Sequence, residues 1–433
     1  MTVLLSPMGA VTIKILLITQ YFPPEMGALA SRSLAHATEW AKAGHYVRVV
    51  CGTPNFPDGK IYSGFKNRPW QVSTMAGIHV IRVWVWPLPN RKGWERMLNY
   101  LSFFCSSTIA GVFGPRPDVV LATSPQLLVG LAGYIVSRLR RVPFVFEVRD
   151  LWPETLIAVG PARCSILFRL LRLLGGFLYR RADKLVVVSR AFRGVLCRDY
   201  GVDRKRLVYV PNGVDPDAFD PQGYDVDDVR RNLAIPKPSI VVSYTGTIGM
   251  CQGIGTILEA AQLTKDSRLV FLLVGDGAER EVLEERARID GLSGVRFLGR
   301  RPREEIPQIL AASDIVLVLL RGEPIFRTAI PSKMFEAMAM AKPLILSAEG
   351  EARRLANRAG GCLVITPDCP QELAEAVDTL AADRTIRVTM GESSRVYVLR
   401  THTREASASH LLNVLIRVVG AARSSHFQGH GVR

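Results

Sequence analysis

Ile13 to Thr19 is an unbroken aliphatic run; a helical pattern follows from about Ala28 to Ala43, Gly44 stops it, and a second run starts at Tyr46 and ends at Cys51. Strands that are apolar on both sides belong in a parallel sheet covered on both faces, and the helix between them is the crossover that parallel pairing requires. The alternation continues, with strands expected at Ile78 to Trp84, Val119 to Ala122, Phe144 to Glu147, Lys184 to Val188 and Leu207 to Val210. It breaks at Pro211-Asn212-Gly213-Val214-Asp215, and the chain stays polar and proline-rich to about Pro238. A second series then begins, with strands expected at Ile240 to Thr245, Leu269 to Val274, Val295 to Leu298, Ile315 to Leu319 and Pro343 to Leu346. The expected fold is α/β: two tandem Rossmann-like, doubly wound domains, residues 1–214 and 215–400, with an interdomain cleft at the carboxyl ends of both sheets, where such folds bind ligands. Residues 401–433 are expected to add a helix from Thr401 to Val419 and a frayed tail, Ala421 to Arg433, whose His426 and His430 make no metal site.

A length of 433 residues gives each domain room for its own core. Net charge +16 points to an anionic partner: nucleic acid, an acidic membrane or a phosphorylated ligand, against the plainer reading of solubility. Mean hydropathy of +0.16 is high enough to look for apolar surface that meets something. The seven cysteines are scattered with no C-x-x-C pair, which excludes a disulfide framework or a zinc site and reads as buried thiols in a reducing compartment. Met1 to Val11 lacks the basic start and apolar core of a signal peptide, and Leu101 to Phe113 is too short and too interrupted to span a bilayer, so the expected placement is cytoplasmic.

Thr245-Gly246-Thr247-Ile248-Gly249 stands where the second series' first strand turns towards a helix. Glycines there let backbone N–H groups approach a diphosphate, although such glycines often serve the turn alone. Ile330-Pro331-Ser332-Lys333-Met334-Phe335-Glu336 carries more. Ser332 suits an N-cap, so Lys333 opens a helix whose free N–H groups and dipole favour a phosphate, and Lys333 adds a point charge. Glu336, one turn in, lies where a carboxylate accepts both hydroxyls of a ribose. The plainer reading makes Glu336 a dipole-favoured acid and Lys333 a solvated charge.

Pro331-Ser332-Lys333-x-x-Glu336, the Pro211-Asn212-Gly213-Val214-Asp215 boundary and Val274-Gly275-Asp276-Gly277 resemble the family 4 retaining glycosyltransferases of the GT-B fold. Tyr21-Phe22-Pro23-Pro24-Glu25-x-Gly27-Ala28, Asn55-Phe56-Pro57 and Asp150-Leu151-Trp152-Pro153-Glu154 resemble, more narrowly, the branch containing bacterial fucosamine transferases of surface-polysaccharide assembly. The match runs from about Ile13 to Thr366, with the motifs in the same order. The resemblance implies sugar transfer with retention, without metal or cofactor, from a nucleotide diphosphate donor to a polyprenyl-diphosphate-linked or glycan acceptor, as in O-antigen or capsule assembly. UDP is the expected nucleotide and an N-acetylated amino sugar a candidate cargo. The first domain would bind the acceptor and the second the donor. Gly27 would border the donor phosphates and the reacting sugar, Glu336 would hold the ribose, and Ser332 and Lys333 would meet the diphosphate. Gly246, Gly249 and Gln252 would shape the opposite wall, Arg280 would add positive charge, and the backbone around Arg296 to Gly299 would meet the base. Glu25, Asn55 and Arg149 would lie on the acceptor side.

Three places depart from the family pattern. Thr328 stands where the first of two acids eight residues apart is usual, which removes the clue to the donor sugar. Thr247 and Gln252 replace a usual basic pair, and Arg149 stands where many members carry a histidine. Retention needs a leaving diphosphate stabilised by fixed charge and dipoles. Lys333, its helix N-terminus and Arg280 are the candidates, while Asp150 and Glu147 are candidates to orient or deprotonate the acceptor hydroxyl. Glu147, Arg149 and Asp150 read equally as a local ion-pair cluster. Asp225-Val226-Asp227 matches the Asp-x-Asp of metal-dependent transferases, but its polar interdomain setting reads as solvated linker.

Ser165 to Arg181 is a strongly apolar helix with Arg169, Arg172, Arg180 and Arg181 among its leucines, a composition suited to the interface of an anionic leaflet. It implies a peripheral position on the inner face of the cell membrane. Trp94 to Phe113, with Trp94, Tyr100, Phe103 and Phe104, offers a second apolar face, for which packing on the first sheet is the preferred reading. Two alternatives remain at this stage. A sugar-nucleotide epimerase of similar shape would turn over its nucleotide sugar without an acceptor. A basic nucleic-acid-binding protein needs a clustered basic stripe with stacking aromatics, and no such stripe stands in the sequence.

Overall fold

The computed structural model describes residues 12–25, 27–89, 92–155 and 166–428. Met1 to Val11, Met26, Cys164, Ser165 and His430 lie outside them, as does the side chain of His426. The first half runs β1 (Lys14–Ile18), α1 (Ala28–Lys42), β2 (Tyr46–Gly52), β3 (Trp70–Met75), β4 (Ile78–Val83), α2 (Gly93–Val112) and β5 (Val119–Thr123). It continues through α3 (Leu127–Arg140), β6 (Phe144–Val148), α4 (Ile166–Arg181), β7 (Lys184–Val187), α5 (Arg190–Tyr200) and β8 (Leu207–Tyr209). The second half opens with α6 (Val226–Asn232), β9 (Ile240–Thr245), α7 (Gly255–Leu263), β10 (Leu269–Val274), α8 (Arg280–Ile289) and β11 (Val295–Gly299). Then come α9 (Ile306–Ala312), β12 (Ile315–Leu319), α10 (Lys333–Ala339), β13 (Leu344–Ser347), α11 (Gly350–Ala359) and β14 (Cys362–Ile365). Three helices end it: α12 (Pro370–Ala382), α13 (Arg384–Thr401) and α14 (Arg404–Gln428).

The first sheet has the order β3-β4-β2-β1-β5-β6-β7-β8 and the second β11-β10-β9-β12-β13-β14. Counted within itself, the second order is 3-2-1-4-5-6, so strand order reverses between β9 and β12, and a crevice opens beyond their carboxyl ends. Every aliphatic run expected as a strand is one. Two strands were not expected. β3 pairs antiparallel with β4 through Ala76-Gly77, both with positive φ (49° and 77°), the turn that suits a two-residue hairpin. It is an edge strand with most side chains in solvent, so it lacks the apolar run that marks the others. β14 closes the other sheet as a short, half-buried edge.

Each sheet is covered on both faces by apolar clusters. The chain crosses between the domains twice, and the crossings meet: the Val214 N–H donates to the His402 carbonyl at 2.9 Å, and the Arg404 N–H to the Val214 carbonyl at 2.8 Å. The last helix therefore starts at Arg404 rather than Thr401, and it runs on to Gln428 through residues expected to fray. It packs on the first domain, where Leu411 and Leu415 are fully buried and the Trp40 indole N–H donates to the Ala408 carbonyl at 2.9 Å. Two such leucines hold the helix down by roughly 1.5–3 kcal/mol each.

Candidate functional site

The domains face each other across a cleft of about 420 Å³. On the first-domain side it is lined by Ala28, Ser31, Arg32 and His36 of α1, by Asp150 just beyond β6, and by Asn212 and Gly213. On the other side stand Thr245 at the end of β9, Gly246, Thr247 and Gln252 beyond it, and the segment Ile330 to Lys333 with Glu336; Arg303 and Arg404 join them.

Lys333 organises the second wall. Its ammonium donates to the Tyr244 hydroxyl at 2.6 Å and lies 4.0 Å from that ring's centroid, and the hydroxyl donates to the Thr247 carbonyl at 2.6 Å. Burial lowers the amine to about 7, with Glu336 acting in the opposite sense. A Cβ on Gly246 would stand 2.6 Å from this nitrogen, and φ at that residue is 140°, a conformation that side chains disfavour. The glycine is thus required by the lysine beside it. Gly275 and Gly277 are required by the same loop: a Cβ on either would overlap the carbonyl of Gly246 or Ile248. The Gly-Asp-Gly turn backs the glycine loop, joined to it by Gly246 N–H to the Val274 carbonyl (2.8 Å) and Ile248 N–H to the Asp276 carbonyl (2.9 Å). Gly249 has no comparable constraint and does not line the cleft.

Ser332 lines the cleft, but, against the expectation from its position, its hydroxyl does not cap α10. Its backbone is already helical (φ −62°, ψ −26°), and its carbonyl accepts from the Phe335 N–H at 3.1 Å in a tight first turn. Glu336 Oε1 accepts from Arg303 Nη2 at 2.9 Å. Arg303 went unnoticed in the sequence because nothing local marks it; the fold brings it to Glu336 from the turn after β11. Arg280, expected at the diphosphate, does not contribute to the lining. Its guanidinium lies beside Gly299 and pairs loosely with Glu284 (3.4 Å) and Asp276 (3.9 Å).

On the first-domain wall Asp150 opens to the cleft, and among the described residues its carboxylate accepts no hydrogen bond. Protein crowds it on its other sides, which pushes the carboxyl above its ordinary range against the pull of Arg149. Glu147, expected beside it in the reacting machinery, is buried and does not line the cleft. Its Oε1 is bound by Arg32 at 3.0 Å and its Oε2 accepts from Thr123 Oγ1 at 2.8 Å. Burial favours the neutral acid, but Arg32, His36, Arg149 and Thr123 together hold it at about 2. Arg149 is lowered to about 10 by burial, and its N–H donates to Ser124 Oγ at 2.8 Å. Arg32 was also missed. Its Nη1 donates to the Pro211 carbonyl (2.6 Å), Asn212 Oδ1 (3.3 Å) and Ser407 Oγ (3.2 Å), and its Nη2 to the Val210 carbonyl (3.1 Å). One guanidinium thereby ties α1 and β6 to both chain crossings. Burial and Arg32 push His36 well below its ordinary range, against the opposite pull of Glu147.

Gly27 caps the start of α1 next to Ala28, where its carbonyl accepts from the Ser31 N–H at 3.0 Å and an added Cβ would meet nothing within 4 Å among the described residues. Glu25 and Asn55 sit away from the main cleft. Glu25 Oε1 accepts from the Asn55 and Phe56 N–H groups (2.9 and 3.0 Å), and burial pushes the acid up to about 7. Glu25 lines a second hollow of about 700 Å³, which shares Ser31, Ala35, Arg303 and Arg404 with the cleft. Asp225 is not free linker: its carboxylate caps α6 through the Asp227 and Asp228 N–H groups, and Asp227 pairs with Lys237. Among the described residues no cluster of three His, Cys, Asp or Glu stands close enough to hold a metal. None of their helices is long and apolar enough to cross a membrane.

In α4 the arginines 169, 172, 180 and 181 are exposed, and so are Ile166 (77%), Leu167 (53%), Leu170 (58%) and Leu173 (68%). The run from Trp94 to Phe113 meets the expectation only in part: α2 buries Phe103 against the sheet but leaves Trp94 and Leu101 open.

The family model described as glycosyl transferase 4-like domain matches residues 27–213, and that described as glycosyl transferases group 1 matches residues 239–383. The chain is 33% identical over 270 residues to the probable glycosyltransferase WbjE of Pseudomonas aeruginosa, covering 61% of this chain and 66% of that one. It is 25% identical over 347 residues to the putative colanic acid biosynthesis glycosyl transferase WcaI of Escherichia coli K12, covering 78% and 83%. Among solved structures it resembles HepE of Anabaena, crystallised with UDP, at a TM-score of 0.70 and 19% identity over 94% of this chain and all of that one.

Proposed function

The chain belongs to the family 4 glycosyltransferases of the GT-B fold, and from that premise we propose that it transfers a sugar, with retention and without metal, from a UDP-sugar to a lipid-linked acceptor in bacterial surface-polysaccharide assembly. The observation that carries this reading is the meeting, across one cleft, of Lys333, Ser332 and Gly246 with Asp150. Lys333 is an amine held among buried groups, and once protonated beside a diphosphate its charge acts on the developing leaving group more strongly than in water. Ser332 and the open backbone around Gly246 offer further donors, and Glu336 with Arg303 takes the ribose side. Asp150, facing the cleft, orients the acceptor hydroxyl or takes its proton. Glu25, Asn55 and Arg149 shape the acceptor side from behind, and Glu147 supports that wall through Arg32. The relationship to the colanic acid transferase WcaI supports polysaccharide assembly as the setting, that to WbjE supports glycosyl transfer, and the UDP bound by HepE supports the nucleotide. An N-acetylated amino sugar is the proposed cargo, and a polyprenyl diphosphate the proposed carrier of the acceptor. α4, with arginines among exposed leucines, is the proposed contact with the anionic inner face of the cell membrane.

Thermal unfolding with a panel of nucleoside diphosphates tests the donor site. A ligand that binds only the native state at a hundred times its Kd stabilises it by about 2.7 kcal/mol. UDP without metal is expected to raise the melting temperature of the wild type and not of Glu336→Ala. If no nucleotide shifts the wild type, with or without magnesium, the donor site is elsewhere.

A further inference from the structure

Helices α2, α3 and α4 lie side by side on one face of the first sheet. Together they carry one acidic side chain against seven arginines. That acid, Glu95, is buried and accepts from the Lys92 N–H at 2.8 Å, so the outer surface of the layer presents no carboxylate from these helices. α2 has two apolar faces. Asn99, Phe103, Ser107 and Ala110 turn inward, while Trp94, Leu101 and Ile109, with Phe113 at its end, are 57%, 45%, 56% and 62% exposed. At about 1.5 Å per residue this open stripe runs roughly 28 Å. Trp84 and Trp86, just beyond the carboxyl end of β4, flank it and are 37% and 49% exposed. The Trp86 N–H donates to Ser102 Oγ at 2.8 Å, and the Trp84 carbonyl accepts from Ser106 Oγ at 2.7 Å, so both residues are tied to α2; their ring centroids lie 6.4 Å apart.

A contiguous apolar stripe of this kind marks a contact surface, since scattered apolar residues suffice for an ordinary solvated face. Indoles, with a large apolar body and one polar N–H, favour the zone between lipid headgroups and acyl chains. An acid-free layer rich in arginine suits an extended anionic surface rather than a protein face of mixed charge. Position agrees with chemistry. Both α2 and α4 follow parallel strands, β4 and β6, so they begin at the carboxyl edge of the sheet, the edge that faces the cleft. We propose that Trp84, Trp86 and Trp94 form a second membrane anchor, which enters the interface of an anionic bilayer alongside α4. The proposal rests on the membrane reading of α4 and adds an orientation to it. One helix leaves the protein free to tilt about its axis; two anchors across the three-helix layer set the cleft against the surface that carries a lipid-linked acceptor.

The test uses the full chain with vesicles of phosphatidylcholine and phosphatidylglycerol, part of the lipid brominated near the top of the acyl chains. Wild type is expected to sediment with these vesicles, to shift its indole emission to the blue and to lose part of it to bromine. The fully buried Trp40 supplies unquenched emission as an internal reference. A variant with Trp84→Ser, Trp86→Ser and Trp94→Ser, which melts as the wild type does, is expected to lose that quenching and to bind about tenfold more weakly or worse, as apolar area at the interface is removed. Arg169→Glu with Arg172→Glu tests α4 separately. Sedimentation of wild type without quenching, or with quenching retained by the triple serine variant, overturns the tryptophan anchor and leaves α4 standing. Failure of wild type to sediment overturns both. The quenching measurement needs no substitution, so a variant that fails to fold does not shield the proposal. Self-association of wild type that the triple variant abolishes, without vesicle binding, makes the stripe a contact between copies and overturns the anchor.

Discussion

Binding of UDP should draw a proton into the protein at slightly alkaline pH, and Lys333 should be its destination. In the empty cleft burial holds this amine at about 7, far below its ordinary 10.5. At pH 8 it is therefore mostly neutral. A diphosphate beside it supplies the opposite charge that the empty site lacks, and the charged form becomes the favoured one. If the bound amine stays protonated, UDP binding at pH 8 takes up about 0.9 proton, and affinity falls close to tenfold for each pH unit above 7, about 1.4 kcal/mol per unit. From pH 7.5 to pH 9 the expected loss is about twentyfold, over a range in which the phosphates of UDP no longer titrate. The direction is fixed by the sign of the shift: the free enzyme holds fewer protons than the complex, so raising the pH opposes binding. Calorimetry of UDP binding in two buffers of different ionisation enthalpy reads the proton directly. Lys333→Arg, charged throughout, should bind with no pH dependence, and Lys333→Met should bind weakly with none. A flat affinity in the wild type with no proton uptake refutes the reasoning. Uptake that survives in Lys333→Met also refutes it, and moves the titration to another group.

Gly246→Ala should weaken UDP binding by about 10- to 100-fold, because its Cβ collides with the ammonium that a charge-assisted contact worth roughly 1.5–3 kcal/mol depends on; titration calorimetry measures it, and unchanged affinity would show that Lys333 does not meet the phosphates. Glu147→Gln should lower stability by about 3 kcal/mol or more, since it leaves the buried Arg32 guanidinium without its counter-charge. The midpoint of urea unfolding checks this. The stabilisation from this carboxylate is present above its ordinary 4.5 and is lost as pH falls through about 2, so mild acid should leave the pair intact. Asp150→Asn should reduce kcat by about 10²–10⁴ while UDP still shifts the melting temperature. The acid limb of the wild-type rate profile should lie above the ordinary 3.8 of an aspartate, in the direction that burial moves this carboxyl. A variant with wild-type kcat would take Asp150 out of the reaction.

What could be read from the sequence and what could not divides along one line. A strand buried on both faces announces itself in five or six consecutive residues, so β1, β5, β9 and β12 were legible, whereas β3 and β14 lie on edges where half or more of the side chains meet solvent and no such run forms. Gly246, Ser332, Lys333 and Glu336 were legible as positions, because glycine at a βα turn and charge at a helix start are local patterns. Their relations were not. Gly246 and Lys333 are adjacent only through the fold, Ser332 opens its helix through its carbonyl and not its hydroxyl, and Glu336 meets an arginine from the turn after β11. Arg32 is the extreme case: in α1 it looks like one more polar residue, yet its partners are 115 residues away at Glu147 and 375 away at Ser407. A buried ion pair is a property of two distant segments, and no window of sequence contains it. The same reasoning bears on α2. A helix with a second apolar face beyond the one on its sheet has that face either covered by protein or in contact with lipid, and its sequence does not say which. The structure separates its faces, one against the sheet and one open beside two tied-down tryptophans, and the open face is what makes a lipid contact worth testing.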